Sequence, residues 1–133
     1  MNRLRDRVVL VVDDDEDILS SIALAMRAEG AETATATDGA QAVARFIDAV
    51  PDAVVLDMML PRQSGFVVLE KIMEYEDPPV VVMITANQGR RHREYAEGLG
   101  VSAYLNKPVA LERLIETLVE LLDRQEAGRA GEA

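Results

Sequence analysis

No cysteine occurs in the chain, which excludes disulfides, thiolate metal centres and a Cys nucleophile and fits a reducing cytoplasm. Tryptophan is absent too, and aromatic residues make up only 4%, so a core must be built from Val, Leu, Ile, Ala and Met. No run approaches the roughly 18 apolar residues of a membrane span. The amino terminus also lacks the apolar segment of a secretory signal. A soluble, cytoplasmic protein without membrane attachment is expected. Positive charge is scarce: Lys and Arg total 14 against 24 Asp and Glu, a net charge of −10. Such a field repels the phosphates of nucleic acid, which is therefore not an expected partner. Only two of the cations are lysines, Lys71 and Lys107.

The 133 residues suit one compact domain with one core, and no attached effector domain is expected unless the chain is an excised piece of a longer protein. Apolar runs and helical patterns alternate along it. Val8–Val12 is continuous, apolar and β-branched, as a strand buried on both faces should be. Ile18, Ile22, Ala25 and Met26 follow at helical spacing, and Gly30 is placed to stop that helix. Thr33–Thr37 is a weaker strand, Asp38-Gly39 a turn and cap, and residues 42–47 suit a helix. Ala53–Leu56 is a third strand ending on Asp57. Pro61 and Gly65 punctuate a loop before a helix over Phe66–Tyr75. Val80–Ile84, ending at Thr85, and Val101–Leu105, ending near Lys107-Pro108, read as the fourth and fifth strands, with a polar helix over Arg90–Glu97 between them. Leu111, Leu114, Ile115, Leu118, Leu121 and Leu122 mark the clearest amphipathic helix, starting without a Ser, Thr, Asp or Asn cap. A domain over residues 1–124 and a flexible tail over 125–133 are expected.

Five strand–helix units predict a parallel α/β sheet with helices on both faces. Ligands of such sheets bind beyond the carboxyl ends of the strands, where Asp13, Asp14, Asp57, Thr85 and Lys107 gather. The run Asp13–Asp17 places five acids together, and two like charges repel by about 4 kcal/mol at 4 Å and an effective dielectric of 20. A hard divalent cation with oxygen ligands offsets such repulsion. Asp15, Glu16 and Asp17 also have a structural role open to them, since acids favour the positive end of a helix. The hydroxyl and the ammonium suit phosphoryl oxygens, so phosphoryl transfer with metal charge neutralisation is implied.

The elements Val11-Val12-Asp13-Asp14, Leu56-Asp57-Met58-Met59-Leu60-Pro61, Gly65, Ile84-Thr85-Ala86 and Tyr104-Leu105-Asn106-Lys107-Pro108 resemble those of bacterial response-regulator receiver domains, here of the stand-alone type. The resemblance runs from about residue 7 to residue 123. It implies a flavodoxin-like (βα)5 sandwich with strand order 2-1-3-4-5. Asp57 would be the phosphoacceptor, supplied by a histidine kinase or a histidine phosphotransfer protein. Asp13, Asp14, Asp57 and the Met59 backbone carbonyl would hold Mg²⁺ or Mn²⁺. Lys107 and Thr85 would contact the phosphoryl group, and Tyr104 would follow Thr85 as a switch. The Lys107-Pro108 bond would be cis. Met59 and Asn87 would flank the phosphoryl group and tune its lifetime, and an uncharged Met59 implies a long-lived acyl phosphate. Partners would read the face made by the fourth helix, fifth strand and fifth helix, on a monomer or a phosphorylation-linked dimer. Beyond its own phosphorylation and dephosphorylation, the protein would not be an enzyme.

Two other functions compete. A haloacid-dehalogenase-type phosphatase also uses an Asp, a Thr and a Lys, but Glu112 and Glu116 lie mid-helix rather than at a strand end, and Asp57 would have no role. A pseudo-receiver that binds partners without phosphorylation would fold alike, although every reactive position is filled here. A calcium loop from Asp13, Asp15 and Asp17 fails at Ile18 and Leu24. Arg90-Arg91-His92-Arg93 reads first as a solvated helix face, and otherwise as a docking or dimerisation surface.

Overall fold

The computed structural model describes residues 2–86 and 89–132, with side chains through residue 129. Five strands, β1 (Val8–Val12), β2 (Glu32–Ala36), β3 (Ala53–Asp57), β4 (Val80–Thr85) and β5 (Ala103–Asn106), alternate with five helices. These are α1 (Glu16–Ala28), α2 (Gly39–Asp48), α3 (Gly65–Met73), α4 (Arg90–Leu99) and α5 (Leu111–Glu132). All strand pairs are parallel, in the order β2-β1-β3-β4-β5. This is the parallel α/β sheet that the alternation of segments predicts, in the flavodoxin-like strand order that the resemblance implies. The fifth strand starts two residues later than the sequence suggests, because Ser102 turns its hydroxyl back to accept from the Val81 amide at 3.0 Å.

Alternation along β1 divides the core between the two faces of the sheet. Val9 and Val11 pack under α1 and α5 with Ile22, Met26, Leu114 and Leu118. Leu10 and Val12 face α2 and α3 with Phe46, Leu69 and Ile72. Each fully buried aliphatic side chain of this kind stabilises the fold by about 1.5–3 kcal/mol. Among the described residues, no helix is long and apolar enough to cross a membrane.

Three helices carry side-chain caps. Asp15 accepts from the Asp17 and Ile18 amides, Asp38 from Gln41, and Ser64 from Val67. Asp15 is thus the cap itself, with Glu16 and Asp17 in the first turn behind it. The segment expected as a tail is helical through Glu132, so α5 runs to 22 residues. Its Ala, Glu, Gln and Arg residues favour helix, and tertiary contacts hold it. Gln125 donates to the Pro78 carbonyl at 3.2 Å and Arg129 pairs with Asp77 at 2.8 Å.

The leader before β1 also belongs to the fold. Leu4 is fully buried, and Arg3 bridges Glu29 at the end of α1 to Glu112 at the start of α5. Arg3 holds the Glu29 carboxyl down at about 2. A depressed carboxyl contributes stability above its unfolded pKa and loses it as pH falls toward the folded value. Arg3→Ala is therefore expected to lower the melting temperature at neutral pH, with the deficit shrinking below about pH 4.5. Thermal melts across pH 2.5–7 check this.

Candidate functional site

Strand order brings the acids together. β1 and β3 are neighbours, with Val12 opposite Leu56, so the residues that follow, Asp13 and Asp57, sit side by side. β4 and β5 lie next in the row, Asp57 pairing with Ile84 and Thr85 with Asn106. Asp13 and Thr85 are fully buried, and Asp57 is 3% exposed. Asp14 points outward, yet carboxylate oxygens of Asp13, Asp14 and Asp57 lie within 4.8 Å of one another.

Lys107 closes the site. Its ammonium donates to Asp13 Oδ2 at 2.8 Å and to Asp57 Oδ2 at 3.1 Å. The Lys107 amide bonds to the Thr85 carbonyl at 2.7 Å, and the Lys107–Pro108 peptide bond is cis. The other carboxylate oxygens meet backbone amides: Asp13 Oδ1 accepts from Asp15 at 2.9 Å, and Asp57 Oδ1 from Met59 at 3.1 Å. Burial pushes the Asp57 carboxyl above the usual range, with Asp13 adding to the rise and Lys107 opposing it. Burial alone would lower Lys107, but its bonds to Asp13 and Asp57 outweigh that and raise it. The ammonium is well supplied with negative charge, whereas the carboxylates share one cation. Three oxygen donors so arranged suit a hard divalent ion.

The remaining sequence candidates lie close by. Met59 follows the β3 strand end, and its side chain is 61% exposed. Tyr104 is buried at 8% exposure, its hydroxyl donating to Met58 Sδ at 3.8 Å and its ring lying 5.8 Å from the Arg93 guanidinium carbon. Asn87 lies outside the described residues. On α4, Arg90 and Arg93 pair with Glu94 and Glu97 one turn on, and His92 stacks on Phe66.

The response regulator receiver domain model matches residues 9–119. The chain belongs to that family. This receiver domain is 36% identical over 117 residues to the transcriptional regulatory protein PrrA of Mycobacterium tuberculosis, covering 88% of the chain and 50% of PrrA. It spans about half the length of the curated relatives it matches. A CheY-like receiver domain protein from Methanospirillum hungatei superimposes with a TM-score of 0.88 at 29% identity, over 92% of this chain and 98% of that one. The receiver domain of NtrX from Brucella abortus gives 0.80 at 33% identity, over 86% and 98%.

Two features of the receiver site have no signature in the sequence. Met58, directly after the phosphoacceptor candidate, is the buried partner of Tyr104. Arg62 pairs with Asp38 across the gap between two loops. Neither position carries a local pattern, since both contacts depend on how loops from different strands meet.

Proposed function

We propose that this receiver domain is a Mg²⁺-dependent phosphoacceptor of two-component signalling that takes a phosphoryl group onto Asp57. The supporting observation is the buried Asp57 carboxylate, bonded through Oδ2 to an ammonium it shares with Asp13, with Asp14 at the rim. The donor is the phosphohistidine of a histidine kinase or histidine phosphotransfer protein. As the bond from phosphorus to an Asp57 oxygen forms, the phosphorus–nitrogen bond of the donor breaks and its electron pair returns to the imidazole. Asp13, Asp14, Asp57 and the Met59 carbonyl are the residues that would hold Mg²⁺ or Mn²⁺, which when bound neutralises charge on the phosphoryl oxygens.

Lys107 supplies a point charge to the same oxygens, and the Met59 amide orients the accepting carboxylate. Fully buried Thr85 is the hydroxyl on the neighbouring strand end. Its movement toward the phosphoryl group would be relayed to Tyr104 and the face of α4, β5 and α5, shifting a two-state equilibrium. The protein then acts in the cytoplasm as a switch rather than on an outside substrate. The test is intact-mass spectrometry after incubation with acetyl phosphate and Mg²⁺. One phosphoryl adduct is expected on the wild type, none on Asp57→Asn and none when metal is chelated. A wild type that stays unmodified under these conditions overturns the proposal in favour of a pseudo-receiver.

A further inference from the structure

The loop from Met58 to Ser64 carries Met59, whose amide orients Asp57. The two ends of this loop are tied together by their own chain, through the Gly65 amide on the Met58 carbonyl at 2.9 Å. Its middle is gripped from outside. The Gly39 amide, where α2 begins, donates to the Pro61 carbonyl at 3.3 Å. A Cβ on Gly39 would lie 2.1 Å from the Gln63 carbonyl oxygen and 2.8 Å from its carbon, so the two backbones touch. Asp38, at 8% exposure, caps α2 through Gln41 and pairs with Arg62 Nε at 3.5 Å.

Arg62 sits in an unusual turn. Its φ is +71°, and the Gln63 amide reaches back to the Pro61 carbonyl at 2.8 Å. A bond spanning two residues around a positive φ is the rare, strained form of the γ-turn. For an arginine such backbone persists only where neighbouring structure enforces it. The enforcing structure here is the β2–α2 corner.

We propose that this corner, Asp38-Gly39, with Arg62 as its latch, clamps the loop after β3 and sets the position of Met59, which makes all three positioning residues of the phosphoacceptor site. The inference rests on the Asp57 reading for its purpose, but its geometry can be tested without phosphorylation. A displaced Met59 would turn both its amide away from Asp57 and its carbonyl away from the cation site.

Three variants separate positioning from folding. Arg62→Gly suits the positive φ and keeps the turn while deleting the latch. Asp38→Asn keeps a good helix cap while removing the charge that Arg62 meets. Gly39→Ala forces the two backbones apart. Two readouts apply to the metal-free and Mg²⁺-titrated protein: hydrogen exchange of the Met59 amide by NMR, and the Mg²⁺ concentration at half-saturation, read from amide shifts. Gly39→Ala is expected to speed Met59 exchange and to raise the Mg²⁺ midpoint by about tenfold, the lower end for loss of a support behind metal ligands. Arg62→Gly should shift both the same way by less, since the Arg62 side chain is 75% exposed. Asp38→Asn is expected to fall between them and wild type. Met59 exchange and Mg²⁺ midpoints at wild-type values in Arg62→Gly and Gly39→Ala would overturn the clamp, even if Gly39→Ala melts earlier. If the wild type binds no Mg²⁺, the cation reading fails and Met59 exchange alone decides the clamp.

Discussion

Replacing Lys107 with alanine is expected to abolish stable phosphoryl uptake and to cost the metal-free fold about 3 kcal/mol near neutral pH. That lies at the lower end for stripping a partner from buried charge, because the Lys107 side chain keeps 18% exposure. The cost arises from what stays behind. Asp13 and Asp57 would remain buried and lose their shared ammonium. Asp57 is already raised by burial, and removing Lys107 takes away the main opposing influence. An acid whose folded pKa is raised destabilises the fold as pH climbs from its unfolded value through its folded one. The deficit should therefore be fully developed at neutral pH and shrink as pH falls toward the ordinary aspartate pKa of 3.8. Urea melts of wild type and variant from pH 4 to pH 8, without metal, measure it. A deficit that is independent of pH would contradict this account.

Gly65→Ala is expected to be equally damaging for a different reason. A Cβ there would lie 2.4 Å from the Asp57 carbonyl oxygen and 2.7 Å from the Met58 Cα. Both are backbone atoms at the end of a fully buried strand, so no flexible side chain can yield. The cost should reach the top of the overpacking range, about 3 kcal/mol, and lower the melting temperature by roughly 10 °C. The strand end is also displaced, so phosphoryl uptake should fall by more than the unfolded fraction explains. Calorimetry beside intact-mass measurements on the folded variant separates the two losses. Normal uptake by the folded variant would show that Asp57 tolerates the shift.

What the sequence disclosed follows from the range of each interaction. Val8–Val12 and Val80–Ile84 announce buried parallel strands because both faces must be apolar. Once those strands and Ala53–Leu56 are placed, Asp13, Asp57 and Thr85 mark their ends without any knowledge of their contacts. Less was legible where the determinant is distant. The helix beyond Asp123 looks like a tail in the sequence, since its apolar stripe stops there, yet Asp77 and Pro78 provide anchors from another loop. Gly65 read as punctuation, whereas its role is to let one backbone pass against another. Arg3, 109 residues from Glu112 in the chain, left no trace that a periodicity could detect.

Contacts tie α5 and the residues before it to β4 and its approach at two levels. At the top, the Thr85 carbonyl meets the Lys107 amide, four residues before the helix begins; at the bottom, the Pro78 carbonyl meets Gln125. Strand and helix are thus tied above β4 at Lys107 and below it part-way along α5 at Gln125. Two such ties resist shear between strand and helix. A displacement of Thr85 would have to be taken up near the Lys107 end, because Gln125 and Arg129 hold the far part of the 22-residue α5 to the loop before β4.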